Sequence, residues 1–173
     1  MSVDHKLEVC ATPAACSTLG PLCTIDREIS AWKLARESRE ASVQLGIRRL
    51  AALRIISPSP LLAKWQASID AGRADGHHLV VCALQAWVED VPLPAALAVF
   101  FYQSLAAVCA TALKLIRIGQ DGCQRVLRDA CARADETLAR SMEVQRKHAG
   151  WFNPMLEIAS MRHQRAEERL FIS

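Results

Sequence analysis

The polar and apolar positions of this chain recur at helical spacing, and one stretch organises the rest. Residues 94 to 113 carry no charge, and the polar side chains among them are Tyr102, Gln103, Ser104 and Thr111. A helix through this run is apolar on nearly every side, as a buried core element or a membrane span would be. Two prolines lead into it, polar residues sit near its middle and the neighbouring segments offer apolar faces, which favours a core helix in a protein with no membrane span. The run ends at Lys114 and Arg117, cations suited to the negative end of a helix dipole, and Gly119 can take the left-handed conformation that closes a helix.

The flanking text is also helical. Residues 25 to 56 read as one helix, with Thr24 and Asp26 as candidate N-caps, Glu28 in the first turn and Ser57-Pro58-Ser59-Pro60 as the stop. Its middle, Arg36-Glu37-Ser38-Arg39-Glu40, is charged, whereas Leu45, Ile47, Leu50 and Leu53 make its second half apolar. A short helix over 61 to 71 precedes the turn Gly72-Arg73-Ala74-Asp75-Gly76, and an apolar helix starts at His77-His78 and ends at Val88. Beyond Gly119, Val126, Leu127, Ala130, Ala134, Leu138 and Met142 predict one long amphipathic helix over 121 to 148. A last helix spans 155 to 169, and Leu170, Phe171 and Ile172 form an apolar tail. Residues 1 to 24 show no sustained period and read as a flexible leader. The expectation is an all-α fold, a single-domain helical bundle over 25 to 173 with a buried central helix.

Composition supports that reading and narrows the function. The chain has 173 residues, 51% hydrophobic but only 5% aromatic, an alanine- and leucine-rich text that suits closely packed helices. With 21 basic and 18 acidic residues the net charge is +3, and no concentrated positive field of the kind that nucleic-acid binding needs is present. The seven cysteines (Cys10, Cys16, Cys23, Cys82, Cys109, Cys123, Cys131) form no C-x-x-C pair, so reduced, largely buried thiols in a cytoplasmic protein are expected.

Candidate chemistry is sparse. His77 and His78 invite a metal, but adjacent helical side chains point about 100° apart, and a helix-start pair making capping contacts is the favoured reading. No nucleophile elbow, phosphate loop or Rossmann glycine pattern is present, so no enzyme activity is expected. Arg117, Gln120 and Gln124 stand out, because two amides one turn apart can hydrogen-bond a partner's backbone or line a polar passage. Ordinary capping is the plainer alternative.

The segments Phe100-Phe101-Tyr102-Gln103, Leu113-Lys114-Leu115-Ile116-Arg117-Ile118-Gly119-Gln120-Asp121-Gly122-Cys123-Gln124 and Arg169-Leu170-Phe171-Ile172-Ser173 together resemble the urease accessory protein family UreF. Arg36-Glu37-Ser38-Arg39, Gln44-Leu45-Gly46 and Glu157-Ile158-Ala159-Ser160-Met161-Arg162-His163 extend the likeness. The resemblance implies an all-α, non-catalytic homodimer that binds UreD (UreH in some organisms), recruits the GTPase UreG and supports delivery of nickel to apo-urease, with nickel as cargo and no cofactor of its own. It implies a dimer contact near Tyr102 and a partner-binding or nickel-passage surface at Arg117, Gln120 and Gln124. A segment from Asn153 onward, with His163, Leu170, Phe171 and Ser173, would order against UreD. One departure is visible: the aspartate-serine-phenylalanine-proline-glycine motif and H-S-x-G-L-E stretch usual near the start of the family have no counterpart in residues 1 to 23, so apolar surface is expected to lie uncovered. The rival class is a small helical metal-binding or redox protein using His77, His78 and the cysteines.

Overall fold

The structure, a computed structural model, describes residues 15–150 and 153–163, with side chains from residue 19. Among them are eight α-helices, one short 3-10 turn and no strand, as the all-α expectation required. Their contacts divide into two compact units, one with the described residues up to Leu84 and those of 153–163, the other Gln85–Gly150. The division falls within α4 (His78–Val88).

The first unit contains α1 (Ala15–Trp32), α2 (Arg36–Ile56), α3 (Pro60–Asp70), most of α4, and α8 (Pro154–His163). Helix α2 packs on both α3 and α8. Ser59 caps α3 by accepting the Leu61 N–H at 3.2 Å, with Pro60 in the first turn, where its missing N–H costs nothing. The apolar positions of these helices converge on a core in which Leu50, Leu62, Trp65 and Val81 are fully enclosed, joined by Ile29, Leu53, Val80 and Leu84.

Two expectations change here. The leader expected to reach residue 24 is already helical from Ala15, with Pro21 inside α1; residues 1–14 lie outside the described part. The helix expected over 25 to 56 is broken between Trp32 and Arg36. Its cause is distant in sequence: Glu157 of α8 accepts the Ala35 N–H at 2.9 Å, and Arg39 Nη1 donates to the Lys33 carbonyl at 2.8 Å. Ala35 has no side chain that can cap α2, so a carboxylate from α8 satisfies the orphan donor and faces the positive end of the dipole.

The second unit contains the end of α4, α5 (Leu93–Leu115), α6 (Gly119–Cys131), α7 (Ala134–Glu143) and the turn Arg146–His148. Both α6 and α7 pack on α5. The single helix expected over 121 to 148 divides after Cys131, where the chain tightens: Arg133 N–H bonds to the Ala130 carbonyl at 3.1 Å, a 3-10 step. Thr137 then supports the new helix, its N–H and hydroxyl both bonding the Arg133 carbonyl.

The buried central helix is the main correction. None of the residues of α5 is buried. One face is taken up by α6 and α7, and the unit supplies no apolar partner for the others, so Val99, Tyr102, Val108 and Leu115 are each more than half exposed. Ser104 and Thr111 turn their hydroxyls onto carbonyls of their own helix, at 2.8 and 3.0 Å. The outer surface of α5 is thereby left largely apolar, with Gln103 and Lys114 as its exposed polar exceptions.

Candidate functional site

The second unit holds the junction singled out in the sequence. Helix α5 ends as the extended Ile116 donates its N–H to the Ala112 carbonyl at 2.9 Å. Gly119, at φ 67°, then turns the chain into α6, a conformation that any side chain would strain. Arg117, Gln120 and Gln124 are all exposed. The two amides share one ridge of α6, and Arg117 stands in the turn just before that helix. Tyr102 is exposed as well but lies about 20 Å back along α5 from its end. The structure therefore groups three of the four candidates in this unit and leaves Tyr102 apart, on the apolar face.

In the first unit, His163 closes α8 with Nδ1 3.0 Å from Glu37 Oε2 on α2. The pair lines a shallow groove with Ser38, Ala41, Ala159 and Ser160. Glu157, one helical turn and a half earlier, holds Ala35 as described, so α8 is attached to the start of α2 through two carboxylate contacts. Leu170, Phe171 and Ser173 lie outside the described residues.

A second polar cluster in this unit is not the one the sequence pointed to. Asp26, expected to cap its own helix, sits inside α1 with its side chain fully buried. Its Oδ2 accepts the N–H groups of Asp75 and Gly76 at 2.6 and 3.0 Å, and its Oδ1 accepts that of His77 at 2.8 Å. The carboxylate thus holds the turn that enters α4 from a helix some fifty residues away. Ser30 donates to the Asp75 carboxylate, which leaves its oxygen to accept from His77 Nε2 at 2.7 Å, while His77 Nδ1 takes the Ser42 hydroxyl at 3.1 Å. Burial pushes the His77 pKa down; Asp26 and Asp75 oppose that shift, and Lys33 and Arg39 add to it.

Gly46 of α2 makes this approach possible, since a Cβ there would stand 1.9 Å from the Gly76 carbonyl oxygen. Gly76 itself has φ 85°. The sequence signal for this cluster was an aspartate amid the apolar positions of a helix and a glycine within another. Neither names its partner.

Both nitrogens of His77 are engaged by hydroxyls, which makes it a structural histidine. His78 lies one turn from Cys82, Nε2 3.5 Å from Sγ; burial lowers the histidine pKa and raises that of the thiol. Among the described residues no group of three or more His, Cys, Asp or Glu side chains is placed to hold a metal ion.

The UreF family profile matches residues 6–131. A protein of Arthrobacter sp. (strain FB24) named urease accessory protein UreF is 35% identical over 149 residues, covering 86% of this chain and 66% of its own. Relatives of the same name from Paenarthrobacter aurescens (strain TC1) and Bacillus sp. (strain TB-90) are 36% and 29% identical, and in both the match covers 67% of the relative. The chain thus spans about two thirds of the length of these curated relatives. With a profile match over most of its residues, the chain belongs to the UreF family.

Proposed function

We propose that this protein is a urease maturation factor in the cytoplasm, a non-catalytic scaffold that binds UreD/UreH, recruits the GTPase UreG and supports nickel delivery to apo-urease. The observation that carries the reading is the match to the UreF family together with relatives named urease accessory protein UreF. In this reading the chain holds no metal as a resident cofactor. Nickel is the cargo of the complex.

The outer face of α5 supports a role exercised through contacts. Exposed apolar side chains on a helix of this length need cover from protein or lipid, and α5 is long and apolar enough to cross a membrane. Protein is the better cover. Helix α6 packs along α5 and carries exposed Arg125, Arg128 and Asp129, and taking these into hydrocarbon would cost about 2.5 to 3.5 kcal/mol each at the bilayer centre. A second copy of the chain on the face that bears Tyr102, with UreD/UreH on the segment that follows α8, is the assembly we favour. Arg117, Gln120 and Gln124 would then meet a partner or line the passage of nickel.

Co-purification of the tagged full chain with UreD/UreH and UreG tests the proposal. The expected result is a complex that loses UreD/UreH when Leu170 to Ser173 are deleted. Failure of the full chain to retain either partner would overturn the scaffold reading; retention by the deleted form would remove only the tail from the mechanism.

A further inference from the structure

Where α5 crosses α6, two cysteines meet. Cys109 Sγ lies 3.9 Å from the Cys123 carbonyl oxygen, and Cys123 Sγ lies 3.5 Å from the Cys109 carbonyl oxygen. Each thiol reaches across to the backbone of the other residue, so both sulfurs occupy one gap between two closely approached helices. Both are reduced. Cys123 is one of the two buried apolar side chains in this unit among the described residues, whereas Cys109 is only partly buried. From this geometry we propose that Cys109 and Cys123 form a dithiol modification site, which an oxidant of the glutathione disulfide class closes into a bond between α5 and α6.

The exchange balances without any further reactant. The Cys109 thiolate, the more accessible of the two, attacks one sulfur of the oxidant; that disulfide breaks and one small thiol leaves with the proton Cys109 gave up. The Cys123 thiolate then attacks the Cys109 sulfur of the mixed disulfide, and the second small thiol leaves with the proton from Cys123. Two protein thiols are oxidised and one small disulfide is reduced to two thiols. Burial and the neighbouring Cys109 raise the pKa of Cys123, so the second step quickens as pH rises. The ring closed by the new bond contains Ile116, Arg117, Gly119 and Gln120, and Gln124 adjoins it. The junction between the helices is therefore clamped from both sides. Any effect of the clamp on partner binding rests on the scaffold reading, whereas formation of the bond does not.

Peptide mapping of the intact chain under non-reducing conditions, after incubation with glutathione disulfide, tests the site. The expected product is a crosslinked peptide joining Cys109 to Cys123, lighter by two hydrogens and reversed by a thiol reductant. In Cys123→Ser the glutathione adduct on Cys109 should persist instead of resolving. Finding Cys109 and Cys123 only as separate adducts, or still reduced, in the wild-type chain would overturn the proposal, and this readout needs no variant to fold. Amide exchange over residues 116–122 should slow in the crosslinked form, and unchanged exchange there would refute the clamp.

Discussion

The two units spend their apolar residues in opposite ways. In the first, Leu50, Leu62, Trp65 and Val81 are wholly enclosed, and Asp26 and His77 are held by hydrogen bonds between the helices, while the Trp65 indole N–H is buried without a partner. In the second, Cys123 and Leu127 are the buried apolar side chains among the described residues, and α5, the longest of the described helices, buries none of its own. Burial contributes stability in proportion to the apolar area removed from water. The first unit therefore has the makings of a self-sufficient core, and the second carries apolar surface suited to contact with another chain.

The sharpest way to break this contrast is to cut matched residues in each unit. Trp65→Ala should lower stability by about 3 to 5 kcal/mol, the usual cost of emptying a fully buried aromatic site, whereas Val108→Ala on α5 should change it by less than about 0.5 kcal/mol. Chemical denaturation of both variants would check the difference, and similar losses would show that α5 is covered in solution.

Acid is the next lever, and it acts on the first unit. The His77 pKa in the fold is below its ordinary value because burial outweighs the attraction of Asp26 and Asp75, with Lys33 and Arg39 adding to the depression; that of His78 is lowered in the same sense by burial and Arg49. At high pH both states are neutral there and the contribution is constant. As pH falls through about 6.5 the unfolded chain takes up protons that the folded chain resists, so stability declines and the decline levels off below the folded pKa. Melting temperatures recorded from about pH 7.5 down to pH 5.5 should fall, and less steeply in His77→Gln. An equal slope in that variant would remove His77 from the effect.

The smallest change in stability should accompany the largest change in association. Val99→Glu, on a side chain 52% exposed and on the same side of α5 as Tyr102, should leave the denaturation midpoint nearly unmoved, within about 0.5 kcal/mol, yet shift the chain toward monomer in sedimentation. Unaltered sedimentation would take the α5 face out of self-association.

Much of the fold was legible in the order of residues. Proline pairs, the glycine-rich turn and the uncharged run set the starts and ends of α3, α4 and α5 within a residue or two, because capping and proline sterics act over one turn. The junction of Arg117, Gln120 and Gln124 was legible for the same reason, as its geometry needs only Gly119 and the first turn of α6. Burial was not legible. A helix apolar all round reads alike whether its cover comes from its own chain or from elsewhere, which is why α5 was expected inside and stands exposed.

By itself, then, the sequence determined the all-helical class, the boundaries of α3, α4 and α5 and membership of the UreF family, all properties of neighbouring residues or of their order. The tertiary structure alone decided that Glu157 holds the Ala35 N–H where the helix breaks, that Asp26 holds the turn before α4 instead of capping α1, that Gly46 admits the Gly76 backbone, and that Cys109 meets Cys123. Each joins positions on separate helices. Their partners are chosen by how those helices pack, a choice that no local spacing encodes.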